Sequence, residues 1–70
     1  MEKDKLKKQI AENLRVLRAK NRISQEVLAE ASGTTQQYIN QIENEKVNVS
    51  VFVLVKIADA LKVSANDLIY

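Results

Sequence analysis

The chain has 70 residues, 46% of them hydrophobic, with 11 basic and 9 acidic side chains; this is enough for one compact domain spanning residues 1–70, and it is neither a charged disordered tail nor a membrane segment. Cysteine and histidine are absent and there is a single glycine, which excludes disulfides, thiolate nucleophiles, imidazole bases, ordinary zinc sites and the glycine-rich phosphate loops of nucleotide enzymes. An enzyme is therefore not expected, nor a cofactor, a metal or a small-molecule effector site.

The net charge of +2 is unevenly spread. Residues 1–22 carry eight basic and three acidic side chains, whereas residues 23–45 carry four acidic ones and no basic one. A solvated helix face explains such a pattern as readily as a polyanion-binding surface does. The longest apolar stretch, Val51 to Val55, falls far short of the ~20 residues that a bilayer span needs. No apolar block near Met1 resembles a signal peptide, so no membrane partner is expected and the cytoplasm is the expected compartment.

Taken in chain order, Asp4 is placed to cap a first helix whose stripe is Leu6, Ile10, Leu14 and Leu17 and which ends near Asn21. Ser24 caps a short second helix, Gln25 to Ala31, that buries Leu28 and Ala29, and Val27 at the third position denies it a full capping box. Gly33 stands where that helix must stop and the chain must turn sharply through left-handed backbone. Thr35 caps a third helix, Gln36 to about Asn44.

At about 100° per residue, Gln36, Gln37, Asn40, Gln41 and Asn44 share an arc of about 140° on the third helix, while Tyr38, Ile39 and Ile42 occupy the opposite side. Residues 47–55 alternate valine with other residues, which taken alone signals a strand. No second strand exists in the chain to pair with it, and a lone strand leaves its backbone groups unsatisfied. A fourth helix is therefore expected after Ser50 as cap, with Leu54, Ile57, Ala58 and Leu61 as its stripe, and Ser64 caps a short fifth helix through Asp67, Leu68 and Ile69. The fold class is thus all-α, a compact arrangement of five helices.

Two short helices joined through one glycine, the second amphipathic, make a helix-turn-helix over residues 25–44. An ordinary solvated helix face is filled with Lys, Glu and Arg, but this one carries only carboxamides. Gln and Asn present a donor and an acceptor on one planar group, matching the N6 donor and N7 acceptor of adenine in the major groove. A polar protein interface and accidental composition are the alternatives for such a face. The small core, worth ~3–5 kcal/mol, makes self-association a natural source of stability, and a homodimer is expected.

Residues 25–44, with Ala29, Gly33, Ile39 and Ile42 in place, resemble the helix-turn-helix of the lambdoid Cro and C1-type repressor (XRE) family. The resemblance extends over roughly residues 8–69, through Leu28-Ala29-Glu30, Tyr38-Ile39, Ile42-Glu43-Asn44, Ser50, Leu54, Lys56-Ile57-Ala58, Ala60-Leu61, Val63-Ser64 and Asp67-Leu68. The run Thr34-Thr35-Gln36-Gln37 with Gln41 looks like that of lambdoid repressors. The Tyr38-Ile39 pair and the Asn48-Val49-Ser50 loop look equally like restriction-modification controller proteins.

The resemblance implies a sequence-specific regulator of transcription, prokaryotic or phage-encoded and nucleoid-associated, that binds an inverted repeat in double-stranded DNA as a dimer. It implies that Gln36, Gln37 and Gln41 reach base edges, that Thr35 touches a thymine methyl or a phosphate, and that Gln25 anchors a phosphate. It further implies backbone contacts from Asn44, Lys46 and Asn48, and an Arg18–Glu43 ion pair in which Arg18 also lies near a phosphate. The candidate dimer surface is Val63, Leu68, Ile69 and Tyr70, which could equally cover the core. Two departures stand out: Glu45 occupies a position that is often glycine in the family, and Val51 one where some phage repressors carry a basic residue. An antitoxin or adaptor that uses the same fold without reading DNA is the alternative function.

Overall fold

The computed structural model describes residues 3–70. They form five helices: α1 (Lys3–Lys20), α2 (Gln25–Ser32), α3 (Gln36–Glu43), α4 (Val51–Ala60) and α5 (Asn66–Ile69). There is no strand among the described residues, and no helix among them is long and apolar enough to cross a membrane.

Local chemistry starts three of the helices as expected. The hydroxyl oxygens of Ser24, Thr35 and Ser50 accept hydrogen bonds from the backbone N–H groups of Val27, Tyr38 and Val53, at 3.0, 3.1 and 3.2 Å. Each satisfies one of the donors that a helix leaves orphaned at its start. Two other expected caps are corrected. Asp4 lies inside α1, in its first turn, where its charge complements the helix dipole but does not cap the helix. Ser64 does not accept a bond from α5: its hydroxyl and its backbone N–H both donate to Asp67 Oδ2, at 3.2 and 3.0 Å, and Ala65 is the capping residue. Asp67, three residues after Ser64, reaches back to the Ser64 N–H as in half of a capping box, while no side chain caps the N–H groups at the start of α5.

Residues 51–55 of the valine-rich segment are helical because only a helix brings the α4 stripe to the core. A strand would bury Val51, Val53 and Val55 together, whereas Val51 and Val55 are exposed and Leu54, Ile57, Ala58 and Leu61 are buried. This stripe packs α4 on α2, while α1 packs on α3 and α5, and α2 also packs on α3. One core joins Ile10, Leu14, Leu28, Ala29, Ile39, Ile42, Leu54, Ile57, Leu61 and Leu68, with Leu6 and Leu17 at its margin.

The first four helices all end in the same way. In each, a residue one or two positions past the end adopts left-handed backbone: Arg22 (φ 53°), Gly33 (φ 73°), Glu45 (φ 61°) and Lys62 (φ 59°). The following N–H then reaches back five residues, from Ile23 to the carbonyl of Arg18, Thr34 to Ala29, Lys46 to Gln41 and Val63 to Ala58. This is the Schellman closure, which satisfies orphaned helix carbonyls and favours glycine at the left-handed position. Only one of the four is glycine, so Arg22, Glu45 and Lys62 hold strained backbone, each at a cost of ~1–2 kcal/mol. Less the ~0.5–1 kcal/mol of chain entropy that glycine forfeits, each of Arg22→Gly, Glu45→Gly and Lys62→Gly should stabilise the fold by about 0.5–1 kcal/mol. Thermal melting should show a rise of a few degrees for each, and an unchanged or lower midpoint for all three would mean that the side chains offset the strain. Gly33→Ala should act oppositely through backbone strain alone, since an added Cβ would meet only Lys56 Nζ, at 3.8 Å.

Candidate nucleic-acid interface

The turn at Gly33 and the cap at Thr35 aim α3 outward from the α2 contact, and its two faces separate as the spacing requires. Ile39 and Ile42 are buried and Tyr38 is half-buried on one side; Gln36, Gln37, Asn40 and Asn44 are exposed on the other, with Gln41 half-buried at the border. Thr35 is exposed beside them, its hydroxyl oxygen engaged by the Tyr38 N–H and its own proton still able to donate. Asn44 terminates α3 as its C-cap, and Lys46 and Asn48 are exposed in the loop that follows. The sequence-predicted amide face is therefore one continuous exposed surface.

The base of that surface is a buried charge. Glu43 is only 5% exposed, and Arg18 grips its carboxylate with two bonds, Nε to Oε2 at 2.7 Å and Nη2 to Oε1 at 3.1 Å. Arg18 Nη1 donates to the carbonyl of Ile23, so the guanidinium ties α1 to both the α1–α2 turn and the end of α3. Hydrogen bonding to Glu43 raises the Arg18 pKa above its ordinary value, against the opposing effect of partial burial and with the help of the carboxylate charge. Three donors of Arg18 are thus used inside the protein.

Gln25, at the start of α2, extends this network to the surface. Its Nε2 donates to Glu43 Oε1 at 3.1 Å, and its Oε1 accepts from Asn40 Nδ2 at 3.5 Å. Asn44 Nδ2 donates in turn to Asn40 Oδ1 at 3.2 Å and to the Asn40 carbonyl at 2.8 Å. Gln25 keeps one amide proton uncommitted beside the N-terminus of α2, where the helix dipole is positive.

Sequence reading overlooked Arg15, whose guanidinium donates to the carbonyl of Glu43. It lies one helical turn before Arg18, and that spacing was the available signal. α3 has no basic residue in its last turn; Arg15 and Arg18 supply positive charge to its C-terminus from α1 instead.

At the positions that depart from the resembled family, Glu45 keeps the left-handed conformation usual for glycine, and Val51 is 75% exposed. Of the expected dimer residues, Leu68 is fully buried within the chain and cannot meet a partner, Val63 and Ile69 are half-buried, and Tyr70 is exposed. The exposed side chains Val51, Phe52 and Val55 on α4 form a second apolar group, with Lys56 Nζ 4.6 Å from the centre of the Phe52 ring.

Comparison with known proteins agrees with this geometry. The helix-turn-helix family model HTH_3 matches residues 14–68. Control protein C.SmaI of Serratia marcescens is 41% identical over 64 residues, covering 91% of this chain and 76% of that protein. The restriction-modification controller protein C.AhdI from Aeromonas hydrophila superposes with a TM-score of 0.86 at 34% identity, over 89% of this chain and 94% of its own. A hypothetical transcription factor, NHTF, from Neisseria superposes with a TM-score of 0.89 at 32% identity, over 93% of this chain and 75% of its own.

Proposed function

The chain belongs to the HTH_3 helix-turn-helix family of DNA-binding transcriptional regulators, and from that premise we propose that it binds an inverted-repeat operator as a homodimer, with α3 in the major groove. The observation that carries this reading is the exposed face of α3, which holds carboxamides and no charged side chain. Such a face is poor at non-specific attraction to phosphate and well suited to hydrogen bonding with base edges. The mechanism is occupancy: Gln25, Asn44, Lys46 and Asn48 fix the register on the backbone, while Gln36, Gln37, Gln41 and Thr35 choose the sequence. Arg18 acts first as the structural partner of Glu43, with three of its five N–H donors committed inside the protein, and the two that remain on its partly exposed side chain can still reach a phosphate. The cytoplasm is the compartment in which such a regulator meets its DNA.

Two-fold symmetry would set the paired α3 helices in successive major grooves, ~34–36 Å apart. The principal extents of the chain, 30 × 22 × 21 Å, let two copies lie abreast at that spacing. The copies would meet through apolar side chains that the fold leaves accessible, either Tyr70 with Val63 and Ile69, or Val51 and Phe52 on α4. Sedimentation of Tyr70→Ser and Phe52→Ser should identify which surface carries the dimer, and a wild type that stays monomeric at high concentration and on DNA rejects the dimer altogether.

Selection from a randomised duplex pool, with excess non-specific DNA at near-physiological salt, tests the reading directly. An enriched inverted repeat is expected; a folded protein that enriches nothing would favour a protein partner instead. Gln25→Ala should weaken binding to random duplex, since a phosphate contact carries no sequence information, and should weaken binding to the selected site at least as much, since Gln25 also holds the Asn40 amide. Unchanged binding to random duplex would remove the phosphate role of Gln25.

A further inference from the structure

The carboxamides of α3 do not all have the same freedom. Among the described residues those of Gln36 and Gln37 have no hydrogen-bond partner that would fix which end is donor and which acceptor, whereas Asn40 is held at both ends. The donors run in one direction, from Asn44 Nδ2 to Asn40 Oδ1, from Asn40 Nδ2 to Gln25 Oε1, and from Gln25 Nε2 to Glu43 Oε1. Glu43 sets that direction, because a carboxylate only accepts and this one is buried and clamped by Arg18. Reversing any amide in the relay would set donor against donor or acceptor against acceptor.

We infer that Asn40 is a further specificity-determining residue of the DNA interface, reading adenine through a carboxamide held in one orientation by the relay that starts at Glu43. The inference rests on the operator-binding reading given above. After its bonds to Gln25 and Asn44, Asn40 retains one amide proton and one oxygen lone pair, the two groups that adenine N7 and N6 require. Asn40 lies one turn after Gln36 and one before Asn44 on the exposed stripe, inside the surface that faces the groove. An exposed asparagine that is free to flip would have to be ordered on binding. The relay does this in the free protein, so the contact costs less entropy when it forms.

The test is duplex selection and competition binding with the full chain, comparing wild type, Asn40→Ala, Asn44→Ala and the double variant, each shown by circular dichroism to be folded at the assay temperature. Asn40→Ala should enrich the same repeat with the adenine preference lost at one base pair per half-site. Its affinity for the wild-type site should fall about 5- to 150-fold, the equivalent of one bidentate base contact, with binding to random duplex unchanged. The double variant should lose less than the product of the two single losses, because Asn44 acts partly through Asn40. Identical enrichment by wild type and Asn40→Ala, or an equal loss on random duplex, overturns the assignment while leaving the operator reading intact. Strictly multiplicative losses overturn the relay. A wild type that enriches nothing removes the operator reading, and Asn40 with it.

Discussion

Arg18→Ala is expected to destabilise the protein by about 3 kcal/mol, the lower end of the range for breaking a buried ion pair. The lower end applies because the Arg18 side chain is 23% exposed, so water can partly replace it. Its partner has no such relief: Glu43 is 5% exposed, and without Arg18 its carboxylate keeps the Gln25 amide alone. The core of a chain this short supplies only ~3–5 kcal/mol, so the variant should keep roughly 0–2 kcal/mol, with a few per cent to about half of it unfolded at room temperature. Urea titration or thermal melting would measure the loss, since ~1 kcal/mol moves the midpoint of a domain this size by ~4–8 °C. A fall of less than about 5 °C would reduce the pair to an ordinary surface contact. Replacing both residues by apolar ones, as in Arg18→Met with Glu43→Leu, should restore part of the loss, because no buried charge is then left unpaired.

Gln36→Ala and Gln37→Ala should each weaken binding to the selected operator by about 1–3 kcal/mol, the usual cost of one bidentate base contact. Binding to random duplex should be unchanged, and selectivity should relax at one base pair in each half-site. Both side chains are exposed in the folded chain, so removing them leaves stability near its starting value and the DNA effect can be read cleanly. Competition binding against operators mutated one pair at a time would locate the affected position. Equal losses on operator and random DNA would instead make these glutamines backbone contacts and move specificity elsewhere on the surface.

The two expectations draw on different kinds of information. The glutamine face could be seen in the sequence because it depends only on helical periodicity within α3. The Arg18–Glu43 pair was implied by resemblance, but its burial, its extension through Gln25 and the contribution of Arg15 emerge only when α1, α2 and α3 are packed together. A spacing of 25 residues between Arg18 and Glu43 carries no signal of its own. Spacing places Asn40 on the exposed face but does not set it apart from its neighbours.

By itself the sequence determined most of what rests on contacts three or four residues apart, the Ser64–Asp67 pair being an exception. The caps at Ser24, Thr35 and Ser50, the turn at Gly33 and the core stripes of α3 and α4 follow from short-range hydrogen bonding and periodicity, which spacing encodes directly. Tertiary structure decided the rest. It placed Leu68 inside the core. It also drew Arg22, Glu45 and Lys62 into left-handed backbone, where the chain must reverse whatever residue stands there. These outcomes depend on how whole helices pack, and the burial gained in packing outweighs the local preference of any one residue at a turn or a cap.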